Sequence, residues 1–236
     1  MAQLYNIPNF LTSLNLVCGV LAIGFAMNGY LIEGAYLVFL AGIFDFLDGF
    51  AARLLKISSE IGKQLDSLAD VVTFGVAPGF FVYVLFQDFY GAESYIVYLP
   101  LLIPVFSALR LAKFNVDDRQ SERFIGLPTP AHALFWVSLP FYMNWVGADS
   151  VLFNQMNHYY AFPVLLVVFS FLLVSELPLM SLKFKSMKLR ENAFRFVLIG
   201  MAIVIFAFIQ FAGIPIIILL YLIISIIENF TLKEKS

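Results

Sequence analysis

Four aspartates at regular spacing are the residues of this chain best suited to chemistry. Asp45, Asp48, Asp66 and Asp70 all fall in or beside stretches that are otherwise apolar. Carboxylates in such surroundings are costly and are functional by default, as ligands for ions or as acceptors of protons. Asp45 and Asp48 are three residues apart and Asp66 and Asp70 are four apart, so each pair shares one face of a helix.

The two pairs are mirrored about a turn near Ile57. Asp48 and Asp66 each lie nine residues from Ile57, while Asp45 and Asp70 lie twelve and thirteen residues away. At about 1.5 Å per residue, a helical hairpin would bring all four carboxylates together roughly 14–19 Å from its tip. Because four anions that close repel strongly, the pattern predicts a divalent cation, and Mg²⁺ or Mn²⁺ suits an all-carboxylate site.

Small and basic residues accompany the aspartates. Gly49, Ala52 and Gly62 would let the helices approach each other and let a ligand contact the backbone. Arg53 and Lys63 flank the cluster, where they would bind phosphate oxygens. This combination is typical of a phosphate or pyrophosphate site. A transporter that binds cations or relays protons through its carboxylates is the alternative.

The elements that must position these residues are membrane helices. Of the 236 residues, 61% are hydrophobic and 13% are charged, and the mean hydropathy is +0.91. A soluble domain carries about 25% charged residues to cover its surface, so a soluble enzyme is excluded. The net charge of −2 argues against a nucleic-acid partner, and the single cysteine, Cys18, excludes a disulfide scaffold.

Eight stretches are long enough to cross a bilayer, which takes roughly 20 apolar residues. The predicted spans are 8–28, 33–55, 66–87, 94–114, 129–147, 160–179, 194–212 and 214–230. Gly213 and Pro215 predict a tight hairpin between the last two. Since little of the chain remains for loops, we expect an all-α integral membrane bundle of eight helices, forming a single domain over residues 1–236.

The basic residues predict the orientation of this bundle. All 14 Lys and Arg lie in or beside alternate connecting segments, which are 53–65, 110–128, 180–195 and 231–236. The segments on the opposite side carry acidic residues and no basic ones. Because basic loops stay in the cytoplasm, both termini and the aspartate site are predicted to face the cytoplasm.

One pattern fixes eight residues over 26 positions: Asp45-x2-Asp48-Gly49-x2-Ala52-Arg53-x8-Gly62-x3-Asp66-x3-Asp70. It matches without departure the signature of the CDP-alcohol phosphatidyltransferases, a family of integral membrane helical bundles. This resemblance implies a CDP-linked lipid substrate and two divalent ions held by the four aspartates. It also implies that Asp70 is the base that deprotonates the acceptor alcohol.

Two further segments carry a resemblance. Pro8-Asn9-x2-Thr12 is similar to the first-helix entry of the family, which lies near the nucleotide. The residues assigned to the nucleotide and CDP-lipid are therefore Asn9, Thr12, Gly49, Ala52, Arg53, Gly62 and Lys63. The run Ser107–Asn115, followed by 124–130, resembles the phosphatidylserine synthases of the family. That likeness implies CDP-diacylglycerol and L-serine as substrates, membrane lipid as the surroundings, and a homodimer.

The predicted serine-binding residues are Arg110, Lys113, Asn115 and Arg123. Arginine offers a planar fork that matches a carboxylate, although basic residues at a helix end also serve simply as membrane anchors. Another acceptor, such as glycerol 3-phosphate or an inositol phosphate, fits the aspartate signature equally well. The small form without extra domains favours a bacterial inner membrane. His132, which follows a proline-rich turn, is expected to be structural.

Overall fold

The computed structural model describes residues 6–57, 59–117, 124–147, 160–181 and 192–233. Within these ranges the nine α-helices are α1 (Ile7–Met27), α2 (Leu31–Leu55), α3 (Glu60–Asp70), α4 (Ala77–Tyr90), α5 (Leu102–Val116), α6 (Thr129–Val146), α7 (Ala161–Val174), α8 (Ala193–Ile209) and α9 (Ile214–Lys233). A π-helical segment, Val71–Val76, joins α3 to α4, and 3₁₀ turns at Tyr95–Leu101 and Gln210–Gly213 lead into α5 and α9. Two short strands, β1 (Phe124–Ile125) and β2 (Pro178–Leu179), complete the fold. The predicted helical character is confirmed, with this strand pair as an addition.

Five segments of the described chain are helical, long and apolar enough to cross a membrane. They are Ile7–Met27, Leu31–Leu55, Glu60–Tyr90, Tyr95–Val116 and Ala193–Thr231. The chain is therefore an integral membrane protein by the character of its helices.

The last of these segments contains two antiparallel helices. Arg195, in the first turn of α8, lies 3.6 Å from Glu228, near the end of α9. In one straight helix the two residues would be about 50 Å apart. The chain reverses at Gln210, whose φ of 48° is incompatible with a continuous helix. The predicted hairpin is confirmed, with its reversal beginning at Gln210 rather than at Gly213.

Two predicted spans have different bounds in the structure. The stretch 160–179 was expected to be helical throughout, but α7 ends at Val174 and the chain is extended from Ser175 onward. Pro178 accounts for this end, because in a continued helix its ring would clash with the carbonyl four residues earlier, that of Val174. The stretch 66–87 lies within a longer helical segment, Glu60–Tyr90. It starts earlier because the side chain of Ser59 accepts a hydrogen bond from the Gly62 amide at 3.0 Å.

The extended segment after α7 is held from two sides. β2 pairs antiparallel with β1 on one side. On the other, the Tyr221 hydroxyl donates to the Met180 carbonyl at 3.1 Å, and the Met180 amide donates to Ser225 Oγ at 3.3 Å. Arg195 Nε donates to the Ser181 carbonyl at 2.8 Å. These bonds attach the α8–α9 hairpin to the rest of the bundle.

Helix α6 occupies the middle of the bundle. It contacts α2, α4, α5, α7 and α9, and its Phe135 and Trp136 pack against Phe169 of α7. Because protein surrounds this helix, it can carry His132, which is fully buried and accepts a hydrogen bond at Nε2 from Trp136 Nε1 at 3.0 Å. This environment agrees with a structural role for His132.

Gly126 is the residue that lets β1 pass the end of α7. Its φ is +75°, and a Cβ at this position would lie 2.6 Å from the Leu173 carbonyl oxygen. Gly91 has a similar φ of +77° but no atom within 4 Å of the same position. Alanine at a positive φ costs on the order of 1–3 kcal/mol by strain alone. We expect Gly126→Ala to lower the Tm of the purified protein well beyond the effect of Gly91→Ala, because it adds a backbone clash. Equal losses of Tm would contradict the close approach.

Candidate active site

The hairpin of α2 and α3 brings the aspartates together. Helix α2 ends at Leu55 and is capped by Lys56, which adopts a left-handed conformation with φ 52°; α3 begins after Ser59. Carboxylate oxygens of Asp45, Asp48 and Asp66 lie within 4.8 Å of one another. The convergence predicted from the mirrored spacing is confirmed for these three residues.

Asp70 adjoins this group of three. It lies one helical turn beyond Asp66, is buried, and its carboxylate interacts electrostatically with those of Asp45 and Asp66. Asn15 Nδ2 on α1 donates a hydrogen bond to Asp70 Oδ1 at 3.2 Å. The carboxylate is thus hydrogen-bonded to α1.

The chemistry of the three close carboxylates fits a divalent metal ion. Asp66 Oδ1 is buried and has no hydrogen-bond partner among the described residues. Asp48 is also buried, and its Oδ2 accepts a hydrogen bond from Thr12 Oγ1 at 2.6 Å. Buried anionic oxygens are unfavourable unless they are paired or coordinate a metal. An all-oxygen donor set of this kind is the one that hard divalent cations prefer.

A cavity of about 260 Å³ opens beside Asp48 and Asp66. Residues from α1, α2, the turn and α3 complete its wall: Pro8, Asn9, Thr12, Gly49, Ala52, Ile57, Ser59, Gly62 and Lys63. The predicted nucleotide and CDP-lipid residues therefore surround one cavity, with Arg53 as the exception. The Arg53 guanidinium lies next to Gly49, 3.4 Å from where a Cβ of that residue would be.

Gly62 permits the close approach of α3 to the start of α1. A Cβ at Gly62 would lie 2.9 Å from Asn9 Oδ1 and 3.0 Å from Ser59 Oγ. Gly62 thus brings two helices together, as predicted for the small residues of this region.

Arg110 is buried in the bundle, with 6% of its surface exposed. Its Nη1 donates to Thr129 Oγ1 at 3.2 Å, and its guanidinium stands 5.8 Å above the ring of Phe114. It interacts electrostatically with Asp70. Its Nε is buried without a hydrogen-bond partner among the described residues, so the guanidinium retains a donor for a ligand.

Two of the other predicted serine-binding residues have protein partners. Lys113 forms an ion pair with Glu176, and Asn115 Nδ2 donates to Ser67 Oγ at 2.8 Å. These contacts hold the end of α5 against the extended segment and against α3. Arg123 lies outside the described residues.

Sequence reasoning missed two polar residues next to the site, Asn15 and Thr129. A signal existed for the first, because Asn9, Thr12 and Asn15 follow one another at intervals of three in an apolar helix. Polar side chains in such helices face the protein interior or a cavity. Thr129 is contacted by a residue from a different helix, which local spacing does not reveal.

Residues 5–168 match the sequence model of the CDP-alcohol phosphatidyltransferases, and the chain belongs to this family. The matched region holds all four aspartates and ends within α7, so α8 and α9 lie beyond it.

The chain is also similar to individual enzymes that carry one and the same name. The chain is similar to the CDP-diacylglycerol–serine O-phosphatidyltransferase of Bacillus subtilis, with 39% identity over 139 residues that cover 58% of this chain and 77% of the relative. The enzymes of the same name from Helicobacter pylori and Methanocaldococcus jannaschii are also similar. The first is 38% identical over 57% of this chain and 56% of the relative. The second is 37% identical over 64% of this chain and 68% of the relative.

Proposed function

We propose that the protein is a phospholipid-synthesising enzyme that transfers the phosphatidyl group of CDP-diacylglycerol to L-serine. The products are phosphatidylserine and CMP. The observation that carries this proposal is the group of three close carboxylates beside a cavity, formed by an aspartate signature without departures. The names of the similar enzymes support serine as the acceptor.

The chemistry is a displacement at the phosphorus attached to diacylglycerol. Asp70 accepts the proton of the serine hydroxyl as the serine oxygen bonds to phosphorus. The bond between phosphorus and the CMP oxygen breaks, and CMP leaves with that electron pair. Asp45, Asp48, Asp66 and Asp70 are the residues that would hold two divalent ions. When bound, Mg²⁺ or Mn²⁺ supplies positive charge to the pyrophosphate and the departing CMP.

The cavity between α1, α2 and α3 is the proposed site of the CDP moiety. Asn9 and Thr12 at the start of α1 contact the nucleotide, while Arg53 and Lys63 bind phosphate oxygens. The small side chains of Gly49, Ala52 and Gly62 leave room for the ligand against the backbone of the two helices.

Arg110 is the proposed partner of the serine carboxylate. Its buried Nε, which has no hydrogen-bond partner among the described residues, and its electrostatic interaction with Asp70 support this role, because the acceptor must present its hydroxyl to Asp70 and its carboxylate nearby. Lys113, Asn115 and Arg123 belong to the same proposed region.

The proposed arrangement in the membrane is eight helical crossings in a single domain, with both termini and the active site on the cytoplasmic side of a bacterial inner membrane. Contacts at one end of the bundle support this arrangement. Lys113 meets Glu176 there, Asn115 meets Ser67, and Arg195 bonds to the segment after α7. Lys113 and Arg195 take part in these contacts, and the positive-inside rule would assign such a basic end to the cytoplasm. We further propose a homodimer, as the family resemblance implies.

We expect purified protein to release CMP from CDP-diacylglycerol when L-serine and a divalent cation are both present. Omission of serine should abolish release, because the displacement needs the acceptor hydroxyl. EDTA should abolish it too, because close carboxylates without a cation repel each other and the pyrophosphate. The measurement is CMP formation with Mg²⁺ or Mn²⁺ restored after EDTA.

Three other outcomes are informative. Release with glycerol 3-phosphate or an inositol phosphate in place of serine would assign a different acceptor. Activity that persists in EDTA would remove the metal assignment. Cation uptake into vesicles without any CMP release would favour a transporter.

A further inference from the structure

Asn15 is fully buried in the middle of α1 and contacts the proposed base directly. Its Nδ2 donates to Asp70 Oδ1 at 3.2 Å. The opposite amide orientation would place a carbonyl oxygen against a carboxylate oxygen, and neither can donate a proton to the other. The orientation of the amide is therefore fixed by Asp70.

The backbone around Asn15 is locked to the segment that follows Asp70. Thr73 Oγ1, in the π-helical segment, donates to the Asn15 carbonyl at 3.2 Å. One turn further along α1, a Cβ at Gly19 would lie 2.3 Å from Thr73 Oγ1. The two helices thus meet in direct contact just past Asp70. Single-turn π segments inside helices occur frequently at functional sites.

The hydrogen bond from Asn15 makes the two oxygens of the Asp70 carboxylate unequal. Oδ1 is held by Asn15, whereas Oδ2 has no hydrogen-bond partner among the described residues. We propose that Asn15 is a positioning residue for the transfer reaction: it holds Oδ1 of Asp70 so that Oδ2 meets the hydroxyl of the acceptor alcohol. This inference rests on the proposed function. Asn15 acts through Asp70 and does not itself touch the substrate.

The first test is Asn15→Leu, which keeps the size of the side chain and removes its donor. A misplacement of a reacting group by about 1 Å costs roughly 10²-fold in rate, so we expect kcat to fall by about that factor. The Kd for CDP-diacylglycerol should stay within about twofold, because the cavity lies nearer the start of α1. If the leucine variant does not fold, Asn15→Ala removes the same donor without adding apolar bulk.

Thr73→Val is the matched control for packing. It removes the hydrogen bond between the π-helical segment and the Asn15 backbone, but it leaves the Asn15 amide on Asp70. A kcat near that of the wild type is expected. If Thr73→Val slowed turnover as much as Asn15→Leu does, the role of Asn15 would be to pack α1 against this segment.

A double-mutant cycle with Asp70→Asn separates positioning from an independent effect. If Asn15 acts through Asp70, the double variant should be about as slow as Asp70→Asn alone, measured on the residual turnover. Losses that multiply, or a loss of CDP-diacylglycerol affinity that parallels the loss of kcat, would overturn the positioning role. A wild-type protein without serine-dependent CMP release would overturn the proposed function and this inference together. Unchanged kcat in Asn15→Leu, with an active wild type, would overturn the inference alone.

Discussion

Asp70→Asn is expected to slow turnover by about 10²–10⁴-fold, the usual contribution of a general base. Asparagine keeps the shape of the side chain and an oxygen that can accept the hydrogen bond from Asn15, but it takes up no proton near neutral pH. CDP-diacylglycerol binding should be partly retained, because Asp45, Asp48 and Asp66 keep their close arrangement. The measurements are kcat for CMP release and the Kd of the CDP-lipid.

Two variants control for this result. Asp88→Asn makes the same chemical change at an exposed position near the other end of the helical segment that contains Asp70, and it should leave kcat unchanged. Asp45→Asn should weaken both divalent-cation and CDP-lipid binding, because it belongs to the group of three. Near-wild-type turnover of Asp70→Asn would assign the proton transfer to another group.

The aspartate site was predictable because its geometry is local. Helix periodicity and a short turn fix the relative depth of residues on two consecutive helices, so mirrored spacing about Ile57 was enough to bring Asp48 and Asp66 together. The cavity residues on α2 and α3 follow from the same hairpin. Their pairing with Asn9 and Thr12 of α1 came from the family resemblance, since sequence spacing alone does not show which helix packs against the hairpin.

The features that were missed depend on contacts between distant parts of the chain. The π-helical segment after Asp70 has no spacing signal, and its contact with Gly19 requires α1 to cross it. The strand pair depends on Pro178 ending α7 and on α9 holding Met180. Hydropathy indicates which segments suit a membrane, but it does not distinguish a helix that faces lipid from one that other helices surround, as they surround α6.

The partners of the basic residues were also beyond prediction. Arg110 and Lys113 lie three residues apart on α5, and sequence alone gave both the same role. The structure separates them, because Lys113 reaches Glu176 across the bundle end while Arg110 is buried against Thr129. The difference arises from which neighbouring helix each side chain meets.

Arg110→Ala is expected to impair the use of serine far more than the use of CDP-diacylglycerol. Loss of a buried charged partner costs about 2–5 kcal/mol, which is roughly 30- to 5,000-fold in kcat/KM. The apparent KM for serine should rise, whereas the KM for CDP-diacylglycerol should change little, since the cavity beside Asp48 and Lys63 is formed by other helices. Arg110→Lys should rescue partially, because an ammonium cannot reproduce the planar two-bond contact with a carboxylate.

Thr129→Val distinguishes recognition of serine from packing of α5 against α6. It removes the hydroxyl that accepts from Arg110 Nη1 but leaves the guanidinium and its Nε in place. A small rise in the KM for serine is expected, well below that of Arg110→Ala, with the Tm of each variant measured in parallel. Arg110 would be an anchor of α5 if Thr129→Val raised the KM for serine as much as Arg110→Ala does. The same would follow if a folded Arg110→Ala protein were impaired equally with serine and with CDP-diacylglycerol. The serine carboxylate would then have to be bound by the polar residues at the end of that helix, with Asn115 the first to be substituted.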